Sequence, residues 1–491
     1  MKKIYIFIGL FFFIYPAIKA QESDIHFKVE TIGSYISPDH IPFWLRSNQF
    51  GSIPLDNASL SFIGTASKEY DKKNKKLFDW GASLEGRANI GNKSDFKLIE
   101  GYAKVHFSIF ELKGGRSKDI MGLCDSSLSS GAFAVSGNSL GIPKIQLAIP
   151  EFYRIPFFGR LFAVKGNYVH GWIGDMPVYM LDGSVNSLKT YLHQVSFYGR
   201  FGKPEWKWKL FGGFNHQAQW GNEAKYYGSY YTLSDMECYW YVISGKSYGT
   251  NNIPKSKIGN HLGSIDLGLE YNLSYVRLFA YHQFFYDVGA LYYLANVRDG
   301  LNGISLTNNQ TANNHVFTWK KVLVEFFYSK NQAGEYWSPL TPSGDENYYN
   351  NDTYINGWSY KGIGVGNPLI GARYGIRAEL PSDPNDHFIN NRVVAFHLGF
   401  EGAIKKWNYI LKTSYSLNYG TYGTSVEGHS LGDHHFPTPY GIFPETKQFS
   451  SYLAASKEFK QNMKFGVTSA FDVGDLYYNS FGIQFTFSKA F

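Results

Sequence analysis

Along much of the chain, apolar and polar side chains exchange at every step. From Trp80 through Ala82, Leu84, Gly86, Ala88 and Ile90 the even positions are apolar or small, with Ser83, Glu85, Arg87 and Asn89 between them. Trp407, Tyr409, Leu411, Thr413, Tyr415 and Leu417 alternate with Asn408, Lys412, Ser414, Ser416 and Asn418. Val394, Phe396, Leu398 and Phe400 repeat the dyad, with His397 and Glu401 opposed. A period of two puts one set of side chains on each face of a strand, so these stretches predict β-strands with one greasy and one polar face. Alternation alone does not distinguish a soluble sandwich from a barrel whose greasy face meets lipid.

The two ends of the chain separate those cases. At the start, Lys2 and Lys3 precede an apolar run from Ile4 to Ile14, Pro16 breaks it, and Ala20 closes it. That pattern predicts a secretory signal peptide over residues 1–20, with a single domain over 21–491. Residue 21 is Gln, so the mature chain would have no cysteine to acylate. At the other end Phe481, Ile483, Phe485 and Phe487 alternate with Gln484, Thr486 and Ser488 up to a terminal Phe491. Aromatic alternation up to the last residue invites aggregation on an unpaired soluble edge. It resembles the terminal strand by which outer-membrane barrels are handed to the barrel insertion machinery. No apolar stretch beyond the leader approaches 20 residues, which excludes a helical membrane protein and leaves a closed barrel as the spanning solution.

Composition agrees with that solution. Aromatics are 18% of the residues, and Tyr and Phe number 38 and 40. Aromatic girdles at both membrane interfaces account for such enrichment. The formal charge of +7 includes Lys2, Lys3 and Lys19 of the leader, too weak a bias for nucleic acid as a partner. Only Cys124 and Cys238 are present, and their spacing does not say whether they meet.

Turn lengths give orientation, because bacterial barrels keep short turns inside and long loops outside. Lys460 to Asn462, Ala403 to Lys406 and Asn272 to Ser274 read as short inner turns. Tyr419 to Glu445, Lys330 to Asn391 and Gln217 to His261 read as long outer loops. Tyr70 to Lys76 and Ser37 to Asp56 follow as inner and outer. The expected fold is an all-β, antiparallel outer-membrane barrel with long extracellular loops, located in the cell outer membrane.

Those outer loops hold many Tyr and Trp beside Asn, Gly and Asp. Aromatic faces stack on sugar C–H faces while neighbouring amides bond hydroxyls, a composition suited to glycan binding. The candidates are Tyr336, Trp337, Tyr348, Tyr349, Tyr354, Trp358 and Tyr360. Arg116 is a further candidate, for acidic sugars or for a lumen carboxylate. The structural alternative is that many of these rings form the interface girdle or pack loop against loop.

Three segments resemble the Wzi capsule-assembly family: Glu111-Leu-Lys-Gly-Gly-Arg116, Ser136-Gly-Asn-Ser-Leu-Gly-Ile-Pro143, and the glycine-rich run from Tyr354 to Leu369. The resemblance implies an eighteen-stranded barrel, closed to diffusion, whose outer surface binds and anchors capsular or extracellular polysaccharide without enzymatic activity. Better-known members carry an N-terminal helical bundle, whereas here strand-like Phe27 to Ile36 follows the leader almost at once. Either loops and inward side chains alone block the lumen, or it is more open. A porin for small solutes or oligosaccharides is the competing function.

No catalytic or metal site and no cofactor is expected. Gly428-His-Ser-Leu-Gly432 and Gly137-Asn-Ser-Leu-Gly141 match G-x-S-x-G but lack the strand and helix that this motif requires around Ser430 or Ser139. Asp433, His434 and His435 offer a metal no identifiable further ligand.

Overall fold

The computed structural model describes residues 25–37, 40–55, 57–71, 77–287, 289–310, 316–334, 344–431 and 434–491. The leader 1–20, Tyr336, Trp337 and Asp433 lie outside the described residues.

Eighteen antiparallel strands form one closed sheet. The first nine are β1 (Ile25–Ile36), β2 (Ala58–Lys68), β3 (Phe78–Ile90), β4 (Asp95–Phe107), β5 (Phe110–Arg116), β6 (Lys144–Arg154), β7 (Phe162–Tyr179), β8 (Val185–Phe201) and β9 (Trp208–Trp220). The rest are β10 (Asn260–Asn272), β11 (Val276–Tyr286), β12 (Gly300–Asn308), β13 (Phe317–Tyr328), β14 (Val393–Ile404), β15 (Trp407–Asn418), β16 (Thr446–Glu458), β17 (Met463–Gly474) and β18 (Ser480–Ala490). Each pairs with its sequence neighbours, and β18 returns to β1 from Lys28↔Ala490 to Ile36↔Gly482. Closure leaves no unpaired edge, the condition for putting a sheet in lipid. The Phe491 N–H donates to the Phe27 carbonyl at 2.9 Å, carrying the seam to the last residue.

The alternation resolves as expected. On β3, Trp80, Leu84 and Ile90 face outward and exposed, while Arg87 and Asn89 are buried inside, with Arg87 Nε donating to Asn89 Oδ1 at 2.9 Å. On β18, Phe481, Phe485 and Phe487 are exposed and Gln484 and Ser488 buried. Greasy outside and polar inside is the distribution of a barrel in a bilayer. Among the described residues no helix is long and apolar enough to cross a membrane.

Turn parity holds over the whole barrel. Connections 108–109, 273–275, 405–406 and 459–462 lie at one rim, with both described chain ends. The described residues of the long segments 37–57, 117–143, 221–259, 329–392 and 419–445 lie at the other. Length alone is an incomplete guide, because 91–94, 180–184 and 475–479 are short and also lie at the long-loop rim.

The outer segments do not all stand clear of the wall. Helix α1 (Phe43–Arg46), segment 117–143 and residues 344–392 turn into the lumen and join one apolar cluster with inward side chains of the strands. Segment 221–259, with helices α2 (Glu223–Tyr227) and α3 (Asp235–Ser244), builds a second cluster with Ala218 and Trp220 on the outward side of the wall. Cys124 lies with the lumen segment and Cys238 in this outer cluster, and both thiols are free.

Candidate functional site

A loop driven into a barrel must find partners for its backbone, since no water shell surrounds it. Inward side chains of the wall supply them to segment 117–143. Asp266 Oδ2 accepts from the Leu123 N–H at 2.7 Å, Glu325 Oε2 from Ser130 N–H at 2.7 Å, and Gln283 Oε1 from Phe133 N–H at 3.1 Å. Gln217 Nε2 donates to the Ala134 carbonyl at 2.9 Å. Helix α1 is held likewise: Asp472 Oδ2 accepts from Phe43 N–H at 2.7 Å and Trp44 Nε1 donates to Ser414 Oγ at 3.2 Å. The polar lumen face therefore does structural work, clamping a plug made from the chain's own outer loops.

The sequence-predicted aromatics lie in this plug. Tyr348, Tyr349, Tyr354, Trp358 and Tyr360 are all buried. Tyr348 donates to Asp299 Oδ2 at 2.7 Å, and Tyr349 donates to the Phe133 carbonyl while accepting from Asn367 N–H at 2.8 Å. The Phe133 ring stacks on Phe285 of the wall at 4.0 Å. Tyr354 packs with Met176, Val178 and Leu188 of the β7–β8 hairpin. Arg116 is half-buried, donating through Nη2 to the Tyr360 hydroxyl at 3.0 Å and through Nη1 to the Leu98 carbonyl at 2.9 Å. The ring faces proposed for stacking on sugar are covered by the chain's own atoms, and the Arg116 guanidinium is engaged by a ring and a carbonyl. Tyr336 and Trp337 remain outside the described residues.

The three segments that carry the family resemblance meet one another. Besides the Arg116–Tyr360 contact, Ser136 Oγ donates to the Gly366 carbonyl at 2.6 Å and Asn138 Nδ2 to the Gly364 carbonyl at 3.1 Å. Gly366 has no room for a side chain, because a Cβ would fall 2.0 Å from the Tyr349 hydroxyl and 2.2 Å from the Phe133 carbonyl oxygen. That glycine pattern encodes close packing in the plug.

Above the plug, the outer rim presents rings that stay partly open to solvent, although neighbouring guanidinium groups and one another's faces cover part of them. Tyr374 is 47% exposed and accepts from Arg46 Nη1 at 3.2 Å, while the Arg46 guanidinium lies 5.3 Å from its ring centre. Exposed His40 stacks on Tyr478 at 4.0 Å, nearly parallel. Arg377 sits 5.2 Å from the Tyr478 ring centre, and the Tyr478 hydroxyl donates to Glu379 Oε2 at 3.0 Å. Its own backbone N–H first, and Tyr478 next, hold the Glu379 carboxyl below its usual range. A second exposed patch, Tyr292 and Tyr293 with Leu294 and Val297, crowns the β11–β12 connection. Rings, guanidinium groups and a carboxylate side by side are the groups that bind sugar C–H faces and hydroxyls. The sequence reading missed this rim because its members come from three separate connections, 37–57, 344–392 and 475–479.

Of the two serine motifs, Ser139 lies in a loop and Ser430 in a two-stranded hairpin of His429–Leu431 with His434–Phe436. Ser139 Oγ donates to the Leu140 carbonyl at 3.2 Å. Ser430 Oγ donates to Asp345 Oδ1 at 2.9 Å, and His429 Nδ1 lies 3.1 Å from the other oxygen of the same carboxylate. The carboxylate thus binds serine and histidine separately instead of the histidine relaying a proton from the serine.

A closed eighteen-stranded barrel with a greasy exterior, short turns at one rim and loop-built structure at the other is an outer-membrane β-barrel. No family model and no curated protein matches the sequence. Among solved structures the chain is similar to Wzi, described as an outer-membrane protein involved in group 1 capsule assembly in Escherichia coli and a carbohydrate-binding β-barrel. The two share 14% identity over 94% of this chain and 83% of Wzi, with a TM-score of 0.54. The fold is Wzi-like, and the protein is located in the outer membrane. OccK5 of Pseudomonas aeruginosa matches at 11% identity and a TM-score of 0.44 over 95% of this chain and 98% of its own. OccAB4 of Acinetobacter baumannii matches at 8% and 0.44 over 96% and 99%.

Proposed function

We propose that the protein binds capsular or extracellular polysaccharide at its outer rim and holds it on the cell, without enzymatic turnover. The observation that carries this reading is the plug: outer loops packed across the lumen through buried aromatics and wall hydrogen bonds suit a barrel that works at its outer face rather than as a channel. Wzi, similar in fold, is a carbohydrate-binding barrel, which supports the same reading. Tyr374, Tyr478, His40, Arg377 and Glu379 form the contact surface. Tyr348, Tyr349, Tyr354, Trp358 and Tyr360, with Arg116, frame it from below. Residues 1–20 are removed on export, the remainder acts as one domain, and the Phe481–Phe491 end addresses the chain to the insertion machinery.

The test is the double substitution Tyr374→Ala with Tyr478→Ala. One stacking ring contributes about 1 kcal/mol, so affinity for polysaccharide fragments short enough to avoid multivalent masking falls roughly tenfold or more while surface levels stay normal. Undiminished binding and capsule retention overturn the site. Steady conductance of porin size in planar bilayers overturns the function.

A further inference from the structure

Segment 221–259 covers a face that a barrel ordinarily gives to lipid. His170, His193, Ala218 and His261 are cross-strand neighbours on β7 to β10, at one level of the outward wall. His193, Ala218 and His261, with Trp220 one outward position higher, are nevertheless buried. The cover is α3 and the hairpin Ser247–Thr250/Ile253–Lys257. Tyr239 of α3 lays its ring on Trp220 at 5.1 Å, and its hydroxyl meets that of Tyr168 at 2.7 Å. Cys238 and Val242, one turn apart, complete the underside.

The register fixes the height of this flap. Phe162, Phe201, Leu210 and Leu269 form an outward row at the inner end of the same strands. His170 is eight residues further along β7, which at about 3.3 Å per residue and a strand tilt near 40° is roughly 20 Å higher. The apolar band of such barrels is about 25 Å tall, so the flap rests at the outer interface of the bilayer. Tyr168, 39% exposed, marks the junction between the flap and the lipid-facing rows beneath.

The free side of α3 is not that of a water-facing helix. Met236 and Trp240, four residues apart on one stripe, are 76% and 58% exposed. Lys225, Lys246, Lys255 and Lys257 are exposed on the same flap. Against them stand two exposed carboxylates, Asp235 and Glu237, at the α3 N-terminus, where Glu237 is tied into the Ser234 capping box; Glu223 is buried. Tryptophan and lysine at this level are the residues that anchor proteins in headgroup layers.

We propose that the flap is an outer-leaflet anchor. The Met236–Trp240 edge enters the headgroup layer of the membrane, and the flap lysines engage the phosphates of an anionic surface lipid.

The test uses whole protein in bilayers containing bisphosphorylated lipid A. Spin labels are placed through Met236→Cys and, at the hairpin tip, Asn251→Cys, each with Cys124→Ser and labelled on the folded barrel. The Met236 label is expected to be relaxed by oxygen and shielded from a water-soluble nickel chelate, the Asn251 label the reverse. Equal access of nickel to both overturns the anchor, as does shielding of Met236 that appears only when polysaccharide is added. In detergent, lipid A should raise the Tm by several degrees more than its dephosphorylated form does, and Lys255→Glu with Lys257→Glu should remove that difference. Equal stabilisation by both lipids in the unsubstituted protein overturns the phosphate contact.

Discussion

Residues 344–392 and residues 221–259 are both long outer segments dense in tyrosine and tryptophan, and they fold in opposite directions. The first goes into the lumen and buries Tyr348, Tyr349 and Trp358 against Phe133 and the inner wall. The second folds back outside and buries Cys238, Val242 and Tyr248 against Ala218 and Trp220. What differs is the wall each meets. The inward face carries amides and carboxylates able to take loop backbone, as when Gln219 Nε2 donates to the Gly357 carbonyl at 2.9 Å. The outward face offers mainly rings and methyl groups, so the flap satisfies its backbone through a capping box on α3 and a hairpin, with His261 Nε2 of the wall lying 2.7 Å from the Ile258 carbonyl. Aromatic richness in an outer loop therefore reports burial before it reports ligand contact.

The largest expected effect tests the plug. Trp358→Ala removes a fully buried indole and should lower barrel stability by about 3–5 kcal/mol, read as a fall in the Tm of purified protein. Trp240→Ala on the free edge of the flap should leave the stability of the detergent-solubilised protein within about 0.5 kcal/mol of unchanged, with little change in Tm. Equal losses at the two positions would erase the distinction between plug and free edge. The triple substitution Tyr354→Ala, Trp358→Ala and Tyr360→Ala is accordingly a stability variant, unsuited to reporting polysaccharide contact.

A second difference is electrostatic. Burial pushes Asp299, which accepts from Tyr348 at the edge of the plug, and Asp386 within it up to about 7. The folded state keeps these protons to near pH 7, while an unfolded aspartate loses its proton near 3.8, so stability declines as pH rises through that window. His429 is raised by its hydrogen bond to Asp345, with burial opposing. Its contribution is fully present below the unfolded value of 6.5 and disappears as pH climbs through the folded one. All three shifts have one sign, opposed in this segment by His387, whose pKa burial lowers. The two aspartates' larger shifts should make amide exchange in 344–392 slower at pH 5.5 than at pH 8 once corrected for intrinsic rates. A flat or inverted profile would mean that solvent reaches these groups.

Strand alternation, the closing aromatic strand and turn parity were legible because a spanning wall imposes period two and alternating turn lengths on the chain. The destination of Tyr349 or Trp358 was not, because ring content is the same whether a loop stands in water or folds inward. A usable signal lay in the glycines and amides beside those rings: Gly366 admits no Cβ, and Asn367 Nδ2 donates to the Gly131 carbonyl at 2.5 Å, as expected of backbone approaching backbone. The rim of His40, Tyr374 and Tyr478 was invisible for another reason, since it exists only after three connections converge.

The smallest expected effect lies where plug and flap touch. Glu223 of α2 is buried and accepts from the Tyr354 hydroxyl at 3.3 Å, from Gly221 N–H at 2.9 Å and from Cys238 Sγ at 3.7 Å. Burial raises its pKa, and Glu223→Gln keeps the size of the side chain while replacing one accepting oxygen, so it should change stability by the worth of one hydrogen bond, about 1 kcal/mol. Tyr354→Phe removes one neutral hydrogen bond, about 1 kcal/mol. If the two loops communicate through this contact, a double-mutant cycle of Tyr354→Phe with Glu223→Ala will show a coupling of about 0.5–1.5 kcal/mol. Zero coupling, with each single change felt only in its own segment by amide exchange, would show that plug and flap are independent additions to the barrel and that the Glu223 carboxylate serves the flap alone.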